Sequence, residues 1–318
     1  MSSVAPDMVA DEAQRLLRLV DSGEVLGATR QLALLGDCLV ALARSGAKDP
    51  DLRAAATSLV QHIAQTRGES SQAVINGVRI MAAPALNSAD DNLAVSIESA
   101  VDSFQESLQT WVSDLRAHAT KVLTPFTKFL AYDYSSTVSS VLADLSRAAG
   151  TLTVFIPEAR SLGGGAKYLA DWQDLGITAH LIPDAALGWA LKQSDVALAG
   201  AETLSLEGGC YNTIGTALAA REAQWSHVPF YVLSILLKTD SRTPAGERSI
   251  PSLDFTSSTF HPLRPIARGI NILGTFPDLD YTPPTLISAA ITEQGSLRPC
   301  DIADAATSMV IEGVAGRG

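Results

Sequence analysis

A small set of polar side chains has the chemistry to hold a phosphorylated ligand: Ser135, Ser136, Arg160, Glu202, Asn212, Thr213 and Lys238. Arg160 and Lys238 are cations of the two kinds that meet phosphate, a planar donor fork and a point charge. With the Asn212 amide they would hold the phosphate, while Ser135, Ser136 and Glu202 would face sugar hydroxyls. Glu202 is also a candidate general base. Asn212 and Thr213 follow a Leu206-Glu207-Gly208-Gly209 turn, and Asn212 is expected to cap a helix running from Thr213 to about Ala223. That would add backbone N–H groups suited to an anion. Other readings stay open. Arg160 could pair with Glu158 or Asp184 at the surface, and Glu202 could be a solvated loop acid. Cys210 is more often an inert small hydrophobe than a nucleophile. Gly163-Gly164-Gly165 resembles a phosphate loop only loosely, and a glycine run is equally a flexible helix entry.

Residues so far apart in the chain meet only if elements ending on one edge bring them together. From Lys128 the pattern alternates. KFLAYD (128–133), LTVFIP (152–157), ITAHLI (177–182), DVALAG (195–200) and PFYVLS (229–234) read as strands. Between them lie helices at Val138–Ala149, closed by Gly150, at Gly163–Leu175, and at Ala185–Leu191 behind an Asp184 cap. Short apolar strands separated by helices imply right-handed crossovers and a parallel sheet. Asp133, Ser135, Glu158, Arg160, Asp184, Glu202 and Lys238 then follow strand C-termini, where open α/β sheets bind ligands. Pro283-Pro284 is expected to start a helix over Thr285–Ile291. Residues 238–268 form a polar, proline-containing excursion, long enough to suggest a functional or partner-reaching loop.

Before Lys128 the chain reads as helical throughout, over Asp7–Val20, Leu32–Ala43, Asp51–Ala64, Ser70–Met81 and Asn92–Val122. In the last, Leu93, Ile97, Val101, Phe104, Leu108, Trp111 and Leu115 recur at threes and fours, and Pro125 closes it. The fold class is therefore α/β, with an N-terminal helical domain (1–124) before a parallel sheet flanked by helices (125–318).

Composition narrows the function. The 318 residues carry a formal net charge of -11, which argues against direct nucleic-acid binding. Three well-separated cysteines and the absence of a secretory leader point to a reducing, cytoplasmic setting. The five histidines show no metal-ligand spacing, and no Walker, GxSxG or HExxH motif is present. No metal or cofactor is expected, and no apolar run is long enough for a membrane.

Several motifs occur in a telling order: Asp133-Tyr134-Ser135-Ser136-Thr137-Val138, Pro157-Glu158-Ala159-Arg160-Ser161, Ala199-Gly200-Ala201-Glu202, Tyr211-Asn212-Thr213-Ile214-Gly215-Thr216, Pro229-Phe230-Tyr231-Val232, and Asp280-Tyr281-Thr282-Pro283-Pro284 followed by Ile291-Thr292-Glu293-Gln294-Gly295. Over roughly 125–300 the chain resembles the translation initiation factor 2B alpha/beta/delta family. That family includes methylthioribose-1-phosphate and ribose-1,5-bisphosphate isomerases. The resemblance implies a Rossmann-like C-terminal domain, a homodimer built mainly through it, and a sugar-phosphate pocket at the sheet's carboxyl edge. The family's isomerases use a cysteine and an aspartate as acid and base. Here the aspartate's position holds Glu202, the cysteine's region reads Tyr134-Ser135-Ser136, and the lysine of the family's N-K-I-G-T motif is replaced by Thr213. The resemblance thus implies a partner that is a small phosphorylated sugar or a nucleotide, bound without the usual isomerase pair. Alternatives are an isomerase using Glu202 with a hydroxyl or water as acid, and a subunit of a larger assembly contacting its partner through 238–268.

Overall fold

The computed structural model describes residues 11–21, 27–66, 71–87, 92–160, 163–240, 250, 252–254, 269–271 and 273–307. Most of the polar excursion from 238 to 268, and the helix start expected at Asp7, lie outside these residues. The described chain forms two compact units. One takes the residues up to Trp111 with 236–240 and 304–307, the other Val112–Ile235 with the described part of 242–303.

The first unit is built from α1 (Asp11–Asp21), α2 (Ala28–Ala43), α3 (Asp49–Thr66), α4 (Gln72–Met81), α5 (Ala83–Asn87) and the first part of α6 (Leu93–Leu123). α2 buries Leu32, Leu35, Cys38, Leu39 and Leu42, an apolar stripe at threes and fours. α6 answers with Leu93, Ile97, Val101 and Phe104. The short α5 was not foreseen. It carries Pro84 in its first turn, where the missing N–H costs nothing. The returning segment Leu236–Asp240 is fixed on α4 by Asn76, whose amide donates to the carbonyls of Leu237 (2.9 Å) and Thr239 (3.0 Å).

The second unit holds a sheet of β1 (Lys128–Tyr132), β2 (Leu152–Pro157), β3 (Ile177–Ile182), β4 (Val196–Ala199) and β7 (Phe230–Leu233). At its far side lie β9 (Ala289–Thr292) and β10 (Gly295–Leu297). The order is β10-β9-β7-β4-β1-β2-β3, all parallel except β10. β1, β4 and β9 are near-continuous buried runs, as strands covered on both faces must be. α7 (Ser136–Ala149), α8 (Lys167–Asp171), α9 (Leu187–Leu191) and α10 (Thr216–Trp225) connect or flank the strands. β5 (Thr203–Ser205), β6 (Cys210–Thr213) and β8 (Leu279–Thr282) make an antiparallel layer in the order β8-β6-β5. Ser252–Asp254 and Thr275–Pro277 form a separate antiparallel pair.

The sheet winds outward from β1 through β2 to β3, then in the opposite sense from β4 through β7 to β9. This is the doubly wound order expected of a Rossmann-like fold, and folds of this order bind ligands beyond the strand C-termini at the reversal, here those of β1 and β4.

Four local expectations need correction. Asn212 does not cap a helix: it lies in β6, and α10 starts at Thr216 behind Gly215. Thr285–Ile291 is not a helix; a 3-10 turn at Pro284–Leu286 leads into β9, which pairs with β7. The helix over Gly163–Leu175 shrinks to a 3-10 turn at Gly164–Ala166 and the short α8. Asp184 opens a 3-10 turn rather than capping a helix, and its carboxylate serves another loop.

Candidate functional site

β1 ends at Tyr132, and the next residue, Asp133, has a left-handed backbone (φ 54) that turns the chain toward α7. Ser135 caps α7, its Oγ accepting the Val138 N–H at 3.3 Å. The turn is clamped from α8. The Tyr168 hydroxyl accepts the Ser135 N–H (3.2 Å) and donates to the Asp133 carbonyl (2.8 Å). Tyr168 is fully buried, stacks on Trp172 at 4.6 Å and leans on Tyr134 at 5.3 Å. The Trp172 indole N–H donates to the Ser139 carbonyl at 3.1 Å.

The Asp133 side chain faces β6, where its Oδ2 accepts the Thr213 hydroxyl at 2.5 Å. The residue is only 9% exposed. Burial pushes its carboxyl above the usual aspartate range. The Thr213 bond, the Tyr134 N–H and the Lys167 charge pull it down, and the Glu202 charge pushes it up again. Gly164 explains one glycine of the run: a Cβ there would collide with the Asp133 carboxylate, so only glycine permits this approach. Glu202 follows β4 two residues past Gly200. It is exposed, and its N–H donates to the Tyr211 carbonyl at 3.0 Å.

The other sequence candidates are used differently. Asn212 is buried and its amide donates to the Thr216 hydroxyl at 3.1 Å. The N-terminus of α10 is already occupied by Asp280, which accepts the N–H groups of Gly215 (2.7 Å) and Ala217 (3.1 Å). Burial raises the Asp280 carboxyl, and these bonds oppose the rise. The anion-binding helix end inferred around Asn212 is therefore filled by the protein's own carboxylate. Arg160 is exposed. Its backbone N–H donates to Asp184 at 3.1 Å, and its guanidinium lies 3.9 Å from Glu158, the surface arrangement left open above. Ser136 lines a cavity of about 380 Å³ on the flank of α7. The two guanidiniums there, Arg116 and Arg147, both bind Asp144, at 2.7 and 3.1 Å. Lys238 comes five residues after β7 and belongs to the first unit, in the turn held by Asn76. Cys210 is buried and its thiol is pushed up to about 12 by that burial, so it offers no thiolate near neutrality.

Sequence reasoning missed two participants. Lys167 opens α8, lies 5.7 Å above the Tyr134 ring and acts electrostatically on Asp133. The available signal was its place two residues after a glycine run that follows β2. Asp133 was noticed as a strand-end residue but given no role. Its left-handed conformation has no signature in a single sequence.

A family model described as the initiation factor 2 subunit family matches residues 28–299. Among similar proteins is translation initiation factor eIF2B subunit alpha from Caenorhabditis elegans, 24% identical over 66% of this chain and 70% of that protein. The corresponding Dictyostelium discoideum subunit is 30% identical over 55% of this chain and 56% of its own length. A methylthioribose-1-phosphate isomerase from Pelotomaculum thermopropionicum is 34% identical over 46% and 42%. The match thus spans about half the length of these last two relatives. Two solved Pyrococcus horikoshii structures share the fold. A translation initiation factor eIF-2B has a TM-score of 0.75, 19% identity and coverage of 91% of this chain and 98% of that one. A 5-methylthioribose 1-phosphate isomerase has a TM-score of 0.74, 20% identity and coverage of 93% and 88%. With its doubly wound sheet, its motif order and a family model matched across most of its length, the chain belongs to the initiation factor 2 subunit family.

Proposed function

We propose that this protein binds a small phosphorylated sugar or a nucleotide in the crevice beyond β1 and β4. The observation that carries this reading is the buried Asp133. It is held by Thr213 at the reversal of strand order, and Ser135, Lys167 and Glu202 reach the same strand ends from separate elements. A buried carboxyl with a special backbone conformation costs stability and is retained mainly where it meets a ligand. Lys167 supplies the nearby positive charge for a phosphate, with Arg160 at the rim. Glu202, Ser135 and Asp133 supply acceptors and donors for sugar hydroxyls. Three relatives are named methylthioribose-1-phosphate isomerases, which favours a furanose phosphate as ligand. We place the protein in the cytoplasm as a homodimer. A subunit role in a larger assembly is the second reading, favoured by the eIF2B subunit alpha relatives.

Titration calorimetry with ribose 1,5-bisphosphate, methylthioribose 1-phosphate and AMP tests the proposal. At least one should bind, and Lys167→Ala should weaken it about tenfold or more, the worth of a charged hydrogen bond. No heat with any of the three overturns the reading.

A further inference from the structure

The cavity on the flank of α7 lies wholly within the second unit and takes no part in the crevice chemistry. α7 presents Ser136, Ser140, Ala143 and Arg147 to it, spaced at threes and fours, and Arg116 reaches across from α6. Two cations share one anion there. Arg116 holds both oxygens of Asp144 through Nε (3.1 Å) and Nη2 (3.0 and 2.7 Å), and Arg147 binds Oδ1 through Nη1 at 3.1 Å. A surface carboxylate gains little stability from a second guanidinium. The triad instead keeps one positive charge in excess, in a chain whose formal net charge is -11. Arg116 Nη1, and Arg147 Nε and Nη2, have no acceptor among the described residues. The Ser136 and Ser140 hydroxyls likewise bond to nothing among them. The other end of the cavity is different. Asp171 Oδ2 accepts the hydroxyls of Tyr134 (2.9 Å) and Ser139 (2.6 Å), and no described donor reaches its Oδ1. Asp171 meets α7 at Ser139, about 7 Å along the helix axis before Asp144. The cavity is therefore polarised, cationic at one end and acidic at the other.

We propose that this cavity is an oxyanion site, separate from the crevice, that takes a phosphoryl group, either as free phosphate or as the head of a small phosphomonoester. The proposal stands independently of the reading of the crevice. The phosphoryl oxygens accept from Arg116, Arg147 and Ser140, a pair of planar forks and a hydroxyl suited to a tetrahedral anion. Asp144 holds the two guanidiniums in place while their remaining N–H groups meet the ligand. Asp171 repels an anion at its own end, so the phosphoryl group sits at the arginine end. The volume, about 380 Å³, is at the low end of the roughly 300–1,000 Å³ of small-molecule sites. It leaves room for a short ester chain, whose hydroxyl would donate to Asp171 Oδ1.

The test is calorimetry of the full-length protein, in phosphate-free buffer, with inorganic phosphate and with glycerol 3-phosphate. At least one should bind with a Kd of about 1 mM or tighter. Tighter binding of the ester supports the site and identifies a carried phosphoryl group; tighter binding of phosphate supports it and identifies the free ion. Arg147→Ala should weaken binding about tenfold, the worth of a charged hydrogen bond, and Ser140→Ala about threefold. Arg147 is the more exposed of the two arginines, 61% against 40% for Arg116. Its removal leaves the Arg116–Asp144 pair intact, so the test survives if Arg116→Ala misfolds. Lys167→Ala, on the crevice side, should change these affinities less than about twofold. Absence of binding by both anions, or affinity unchanged in Arg147→Ala and Ser140→Ala, overturns the site. Loss in Lys167→Ala with Arg147→Ala unaffected places the anion in the crevice and overturns it equally. Failure of the sugar phosphates to bind overturns the crevice reading and leaves this site standing.

Discussion

Two aspartates bracket the same pair of strands, and they are treated in opposite ways. Asp195 precedes β4 and is exposed. Its Oδ2 accepts the N–H groups of Thr127 (3.0 Å) and Lys128 (2.9 Å) where β1 begins. Asp133 follows β1 and is enclosed, with a side-chain hydroxyl as partner and a left-handed backbone. The first arrangement keeps the charge in water, satisfies two strand-end donors and joins β1 to β4 at modest cost. The second takes a carboxyl out of water, which is unfavourable unless the charge is compensated. The N-terminal edge of the sheet is therefore built for cohesion, and the C-terminal edge carries a local cost of the kind that functional sites retain.

That contrast can be broken at either end. The largest effect is expected at the enclosed end. Gly164→Val would drive a branched side chain into the Asp133 carboxylate. It should destabilise the fold by about 3 kcal/mol, at the upper end of overpacking costs, and abolish ligand binding. Urea unfolding and calorimetry report the two. Retained affinity would show that the crevice does not depend on this approach. Next comes Asp195→Ala, expected to cost about 1 kcal/mol because the freed N–H groups can turn to water. Its ligand affinity should be unchanged, and a tenfold loss would erase the distinction between the two edges. The smallest effect is in pH dependence. A raised native pKa favours folding while the group is protonated, and that contribution is lost as pH rises through the native value. The stability of wild type relative to Asp133→Asn should therefore fall as pH rises from about 4, the ordinary aspartate value, through the raised native value. A difference that grows with pH would show that burial does not favour the protonated form of Asp133.

Five strands of the parallel sheet, β1, β2, β3, β4 and β7, were legible as short apolar runs, four of them stopped by glycine, proline or a charge. β2 and β3 match their expected bounds. The failures share a cause. Cys210–Thr213 and Ala289–Thr292 are fully buried four-residue runs, and at that length periodicity does not separate strand from helix. The Asn212 cap signal was outweighed by Tyr211, Thr213 and Ile214, aromatic and β-branched residues suited to a pleated layer. Of the site, the residues nearest strand ends were legible, since parallel strands finish on one edge. Lys167 was not, because it seemed to lie inside a longer helix. Lys238 was placed by counting from β7, but the chain makes a 3-10 turn before reaching it and enters the other unit.

The aromatic clamp behind the β1–α7 turn has an optical consequence. Trp172 is 6% exposed and stacked on Tyr168, one bond from the Asp133 backbone, whereas Trp189 and Trp225 are 56% and 81% exposed. Its emission should be blue-shifted relative to theirs and shielded from iodide quenching. With Trp111, Trp189 and Trp225 changed to phenylalanine, Trp172 is the remaining tryptophan, and a ligand entering the proposed crevice should register as a change in its emission without any label.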